Sequence, residues 1–312
     1  MRGGAPAGAD TARRTQRAPA SPGDRPRFDR APRSTIVRPL QICGDLAASA
    51  PTPGTSSMTF APPRDVTLND CYFYHTVELP ELGLIPGEWD IRGREADYVG
   101  GIDLSGKRVL EIGSASGHLC FWMEKQGAEV VAYDLDDKHE WDIVPYKKAE
   151  VAAVIEQRKQ HLRRINNSWW LSHQKYQSRA KMAYGSVYNV DDSLGDFDIV
   201  TVKNMLLHLR DPFLALHRAA ERCRDRIVVT ELTKPFFFWN QEPIEPPSGQ
   251  LYLQFLPRAD RLEPIESWWF LPTATIIEIL KILGFETITT NLHHQTFRDG
   301  QSVEFCTIVG QR

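Results

Sequence analysis

Cysteine is sparse in this chain, with five residues in 312. Cys43, Cys71, Cys120, Cys223 and Cys306 are widely spaced, odd in number and never arranged as C-x-x-C. That pattern excludes a disulfide framework and a zinc ribbon, and suits reduced thiols in a cytoplasmic protein. Long apolar runs are missing as well. None approaches the roughly 20 residues needed to cross a bilayer, and no secretory apolar segment is present, so no membrane association is expected. H-x-H, E-x-x-H and carboxylate clusters are absent, so no metal site is expected, and His293-His294 reads as a pair at a strand end.

Positive charge is scarce in the body of the chain. The net charge is −3, but residues 1–57 hold nine Arg, no Lys and four Asp, a local +5. The remainder has 28 basic against 36 acidic residues, or −8. An acidic body lacks the broad positive field of most nucleic-acid binders, which weighs against RNA as a partner. The first 57 residues are rich in Arg, Pro, Ala, Gly and Ser, with Phe28 as their only aromatic. Such a segment cannot bury enough apolar surface to offset its ordering entropy, so disorder is expected. Its role stays open between a basic nucleic-acid tether, an organelle-targeting peptide and an upstream extension preceding a natural start at Met58.

From residue 106 onward, strand and helix patterns alternate. Strands are predicted at 107–112, 129–134, 181–184, 197–202, 226–230, 285–291 and 302–309. Helices are predicted at 117–126, 211–222 and 273–283. Asp211-Pro212 supplies an N-cap and a first helical proline, and Gly284 closes the last helix. Alternation of this kind predicts an α/β fold, a doubly wound, mostly parallel sheet of seven strands with helices on both faces. Ligands then lie at the carboxyl ends of the central strands. Two segments exceed an ordinary connection. Residues 138–177 place Val151, Val154, Ile155, Leu162 and Ile165 at helical spacing, with Arg158, Lys159, Arg163 and Arg164 between them. Residues 233–268 are Pro- and aromatic-rich and read as an irregular lid. Insertions at the ligand edge commonly carry specificity, so both are expected to wall an acceptor site.

The central signal is Glu111-Ile112-Gly113-Ser114-Ala115-Ser116-Gly117, which follows a strand and opens a helix. Gly113 permits a tight turn and Gly117 a close backbone approach. A dinucleotide turn wants G-x-G-x-x-G, but Ala115 and His118 stand where two of its glycines belong. Pyrophosphate would meet Cβ atoms there. Asp134 ends the next strand, about 20 residues on, where an acid accepts hydrogen bonds from ribose hydroxyls. Ser186 and Val187 follow the third strand, and Asn204 follows the fourth.

The pattern E-x-G-x-x-x-G resembles motif I of class I methyltransferases. The likeness extends through Tyr74-His75-Thr76, Pro86-Gly87-Glu88-Trp89-Asp90-Ile91-Arg92, Leu206-Leu207-His208-Leu209-Arg210-Asp211-Pro212, Trp268-Trp269-Phe270-Leu271-Pro272-Thr273 and Gly284-Phe285, in that order. It covers roughly residues 70–310. The set resembles the family that includes the carboxymethyl-transferring enzymes of tRNA wobble uridine. The resemblance implies an N-terminal cap at 58–105 and a Rossmann-like methyltransferase domain at 106–312. It implies S-adenosylmethionine as cofactor, with Glu111 orienting its ammonium. Gly113, Ser114, Ala115 and Gly117 would form the loop, Asp134 and Leu135 would lie at the ribose, and Ser186 and Val187 at adenine. The family usually has Asp where Ser186 stands. Asn204 would approach the cofactor, and Trp89 and Arg92 would lie near its methionine end.

The reaction so implied is methyl transfer to a nucleophile, with a small-molecule hydroxyl as the leading acceptor. A tRNA base, with a methyl or carboxymethyl donor, is the second reading, and a non-catalytic cofactor-binding relative the third. Intact Glu111, Gly113, Gly117 and Asp134 argue against the third. His208 and His75 are the candidate bases, because a neutral imidazole accepts a proton near pH 7. Trp169, Trp170, Trp268 and Trp269 offer planar surfaces for an acceptor, and core packing is the alternative for each.

Overall fold

The computed structural model describes residues 60–146, 148–235, 249–260 and 265–312. These fall in one compact unit, Thr55–Arg312. The tail read at 1–57 lies outside the described residues, as do Lys147 and parts of the 233–268 segment.

An N-terminal hairpin, β1 (Val77–Leu79) and β2 (Gly83–Ile85), precedes a two-residue strand, β3 (Trp89–Asp90), and a short helix, α1 (Glu95–Tyr98). The alternating part follows: β4 (Arg108–Ile112), α2 (His118–Lys125), β5 (Glu129–Asp134), α3 (Lys148–Tyr176), β6 (Lys181–Tyr184), β7 (Phe197–Lys203), α4 (Pro212–Glu221) and β8 (Cys223–Leu232). A small pair, β9 (Gln254–Phe255) and β10 (Trp269–Phe270), precedes α5 (Thr273–Ile282) and the long hairpin of β11 (Thr287–Phe297) and β12 (Ser302–Gln311).

The main sheet runs β3-β11-β12-β8-β7-β4-β5-β6. Strands β4 to β8 are parallel, while β12, β11 and β3 are antiparallel to their neighbours. Seven strands are those the alternation predicts. The eighth, β3, is too short to show a period in sequence and pairs Trp89 with Phe297 across the sheet edge. The strand order reverses between β4 and β7, the place where such sheets open a crevice.

Period-two alternation sorts the central strands into two apolar layers. Leu110, Ile112, Val131, Tyr133, Val200 and Val202 pack with Leu216 of α4 and Ile276 and Leu280 of α5. Val109, Val130, Ala132 and Ile199 pack on the other face with Leu119 and Phe121 of α2 and Trp169 and Trp170 of α3. Helices cover both faces, so the central strands read as near-continuous apolar runs.

The 138–177 segment is chiefly one helix of 29 residues. Its core stripe continues the spacing of Leu162 and Ile165 into fully buried Trp169. Asp211 caps α4 by accepting from the Leu214 N–H at 2.9 Å. Gly284 adopts φ of +88° just after α5, as a helix stop requires. His293 sits well inside β11 and not at its end, buried, with its ring sharing hydrogen bonds with Thr307 and Gln295. Among the described residues no helix is long and apolar enough to cross a membrane.

Candidate active site

A cavity of about 620 Å³ opens at the carboxyl edge of β4, β5 and β7. Its size falls within the range of small-molecule sites, about 300–1,000 Å³. The loop after β4 forms its floor. Gly113 has φ of +78°, and a Cβ there would lie 2.9 Å from the Met205 sulfur, so the position demands glycine on two counts. Ala115 is also left-handed, at φ +49°. Its strain is held by the N–H, which donates to an Asp134 carboxylate oxygen at 2.8 Å. The other Asp134 oxygen accepts from the Leu135 N–H at 2.7 Å. Burial pushes the Asp134 carboxyl up to about 6, against these two hydrogen bonds, which favour the ion.

Gly117, with φ of +84°, does not line the cavity. A Cβ on it would fall 2.5 Å from the Phe121 ring and 2.6 Å from the Trp169 ring. The structure thus uses this glycine to seat α2 against α3.

Glu111 is nearly fully buried and lines the cavity. One carboxylate oxygen accepts from Ser114 Oγ at 2.6 Å, and the other pairs with Lys203 Nζ at 3.0 Å. Ser186 and Val187 line the cavity beyond β6, where Gly185 N–H donates to the Asp134 carbonyl at 2.9 Å. Asn204 follows β7 with φ of +49°. Its Nδ2 reaches Tyr74 Oη at 3.4 Å, and its buried Oδ1 has no hydrogen-bond partner.

Both candidate bases line the cavity. His75 is buried, its Nδ1 lacks a hydrogen-bond partner, and its backbone N–H donates to Ser116 Oγ at 3.1 Å. Burial holds the imidazole well below the usual histidine range, and the nearby His118 and Lys203 charges push the same way. His208 ends a single helical turn, Leu206–His208. Its Nδ1 lies 2.6 Å from the Glu266 carbonyl oxygen, so Nδ1 carries the proton and Nε2 is left with a free lone pair. Burial lowers its pKa as well, partly opposed by that hydrogen bond.

Two sequence expectations are corrected. Arg92 does not reach the cavity, because Asp90, two residues earlier, holds its guanidinium through bonds of 2.8 and 2.7 Å. Trp169 and Trp170 are core residues under α2, and Trp268 and Trp269 donate to the carbonyls of Asp142 and Arg210. None of the four lines the cavity, whereas Trp141 does. Trp89 lines it but is chiefly a packing residue, with its ring 4.9 Å from Phe297 and 5.3 Å from Phe305.

Several lining residues escaped the sequence reading. Lys203 ends a mostly apolar strand, FDIVTVK, which is its one available signal. Tyr74 stood beside His75 in the quoted motif. Behind the cavity, buried Glu231 accepts from the Met205 and Leu206 N–H groups at 3.0 and 2.8 Å and so fixes the turn carrying His208. Burial pushes its carboxyl up to about 8.

Residues 91–290 match the sequence family described as Methyltransferase domain. The chain belongs to that family. It is an S-adenosylmethionine-dependent methyltransferase, and the likeness to wobble-uridine enzymes remains a resemblance carried by its short motifs. No curated protein matches the chain. Among solved structures, the N-terminal domain of EvdMO1 with SAH bound is 19% identical, covering 77% of this chain and 91% of that one, with a TM-score of 0.49. Magnesium protoporphyrin IX methyltransferase from Synechocystis PCC 6803 with bound SAH is 16% identical over 69% and 80%, with a TM-score of 0.40. The 1,6-didemethyltoxoflavin-N1-methyltransferase of Burkholderia thailandensis is 15% identical over 71% and 77%, with a TM-score of 0.43.

The methyltransferase cavity suits its cofactor. Each Asp134 oxygen spends one lone pair on backbone and keeps another, which a ligand hydroxyl could use. Glu111 keeps spare acceptor capacity for an ammonium, and Gly113 leaves bare backbone. The orphaned Asn204 Oδ1 and His75 Nδ1 are buried polar atoms that a ligand would satisfy.

Proposed function

We propose that this enzyme methylates a hydroxyl of a small molecule, with His208 as general base. The cofactor would be held along β4 and β5 by Glu111 at its ammonium, Gly113, Ser114 and Ala115 beneath it, Asp134 and Leu135 at the ribose, and Ser186 and Val187 at adenine. Asn204 and His75 border its sulfur end. When bound, the cofactor would supply a methyl on a cationic sulfur, with the neutral thioether as leaving group as the acceptor oxygen–methyl bond forms. His208 Nε2 accepts the hydroxyl proton as the O–C bond forms. The cavity walls exclude water and hold the acceptor in line, which supplies most of the rate for so good an electrophile.

The observation that carries this reading is the 2.6 Å contact of His208 Nδ1 with the Glu266 carbonyl. It fixes the tautomer in which a base is ready, on a ring that lines the cavity. The charges favour a small acceptor over RNA. Arg158 is paired with Glu266, Arg163 with Asp137 at 2.6 Å, and Arg164 donates to the Cys71 carbonyl at 2.8 Å. These cations are committed within the fold.

Turnover is to be followed with a deuterated-methyl donor over hydroxylated small molecules and total tRNA. His208→Asn keeps a donor near the place of Nδ1 and removes Nε2. It should lose about a hundredfold to ten-thousandfold in turnover, with SAH affinity and melting temperature nearly unchanged. Methyl label in tRNA instead of small molecules overturns the acceptor class. Full activity of the variant transfers the role to His75, to be tested the same way.

A further inference from the structure

The buried pair of Glu111 and Lys203 has no structural need to be charged. Side-chain exposure is 1% for Glu111 and 3% for Lys203. A buried ion pair is often no more stabilising than an apolar pair of similar volume, because desolvation offsets the attraction. Their registers place both on the α2 side of the sheet, at the ends of adjacent strands β4 and β7. Both line the cavity. Lys203 Nζ carries three donors and spends one on Glu111, with no second acceptor among the described residues. Glu111 spends one lone pair on Lys203 and one on Ser114 Oγ and keeps the others. A cation and an anion with unspent capacity thus face one space 3.0 Å apart.

We propose that Lys203 and Glu111 together form a preassembled clamp for an α-amino acid zwitterion, in which Lys203 binds the carboxylate of the cofactor while Glu111 takes its ammonium. The pair neutralises itself when the site is empty, so neither charge is left uncompensated. A cofactor bearing both groups meets both partners. A cofactor without the carboxylate leaves Lys203 with unsatisfied donors in a buried site, which disfavours it. Lys203 is therefore a specificity residue for the intact amino acid end. The clamp rests on placing the cofactor along β4 and β5 as proposed above.

Three probes separate the parts by calorimetric titration. S-adenosylhomocysteine carries both charged groups, its decarboxylated analogue S-adenosyl-3-thiopropylamine carries only the amine, and 5′-methylthioadenosine carries neither. The unaltered enzyme should prefer S-adenosylhomocysteine to the decarboxylated analogue by about tenfold to a hundredfold. Lys203→Met should abolish that preference and leave 5′-methylthioadenosine binding unchanged. If Lys203→Met leaves Glu111 unpaired and the protein fails to fold, Glu111→Gln with Lys203→Met removes both charges and should show the same loss of preference. A retained preference in whichever variant folds overturns the clamp. So does an equal loss for all three probes, which would make the pair purely structural. Failure of the unaltered enzyme to bind 5′-methylthioadenosine at all would instead refute the placing of the cofactor.

Discussion

Glu231 offers a test of how the fold supports the turn that carries His208. It is 4% exposed, and one of its oxygens accepts both the Met205 and Leu206 N–H groups. Burial pushes its carboxyl up to about 8, from an ordinary 4.5. A raised folded value favours folding fully below the unfolded value, and the benefit is lost as pH rises toward the folded one. Glu231→Gln keeps a carbonyl oxygen in the same place and is neutral at every pH. The variant and the parent should therefore match near pH 4.5. The variant should gain about 3 kcal/mol over the parent at pH 7 and about 5 kcal/mol above pH 8, at 1.36 kcal/mol per unit. A difference of 3 kcal/mol corresponds to about 6–12 °C in melting temperature for a domain of this size. Glu231→Leu removes the acceptor and should cost about 1–3 kcal/mol for each orphaned N–H even at pH 5. Thermal melts of the three proteins at pH 5, 7 and 9 read all of this. A difference between Gln variant and parent that does not change with pH would refute the argument. It would mean that Glu231 is ionised in the fold and stabilised by something other than these two hydrogen bonds.

Asp134→Ala should weaken binding of S-adenosylhomocysteine about tenfold to a hundredfold. It should also lower the melting temperature, because Ala115 N–H and Leu135 N–H lose their acceptor; unchanged affinity on titration would move the ribose contact elsewhere. The acid limb of the turnover profile should fall below the ordinary histidine value of 6.5, because burial lowers the His208 pKa and the base form survives to lower pH. A limb above 6.5 that disappears in His208→Asn would contradict the burial argument, and one that survives in His208→Asn would belong to another group.

The strands were legible because they are buried on both faces, which leaves short, mostly apolar runs such as 197–202 and 226–230. The glycine loop was legible because its signal is positional, lying between a strand and a helix. Strand β3 was not, since two residues carry no period. Gly117 was legible as a required glycine, but its cause was not, because contact with Trp169 lies 52 positions away in sequence. Arg92 was misplaced because sequence does not show which acid a guanidinium will choose, and Asp90, two residues earlier, takes it. The tryptophans were missed in the same way. Composition shows that planar surfaces exist, but only packing decides that Trp141 faces the cavity and Trp169 the core. Lys203 escaped because a lysine ending an apolar strand reads as a solvent-facing terminus. Its buried partner, Glu111, lies 92 residues away on a neighbouring strand.

Taken together, these strand-end groups explain why an acidic site suits this chemistry. Glu111, Asp134, Lys203 and Glu231 stand at or near the ends of β4, β5, β7 and β8. Glu111 and Lys203 cancel as an ion pair. Glu231, pushed up to about 8, is mostly neutral at pH 7, whereas Asp134, at about 6, is mostly ionised. Of these four strand-end groups, Asp134 is thus the one that stands as an anion without an ion-pair partner. On the proposed placing of the cofactor, Asp134 faces a ligand whose sulfonium, ammonium and carboxylate sum to one positive charge. That balance depends on Glu231 staying protonated. Ionisation above pH 8 would add a second negative charge behind the turn that carries His208, in a place where no described cation pairs with it. The two backbone hydrogen bonds favour that ion and burial opposes it more strongly, so the alkaline cost falls on the stability of the fold and not on the bonds that hold the turn.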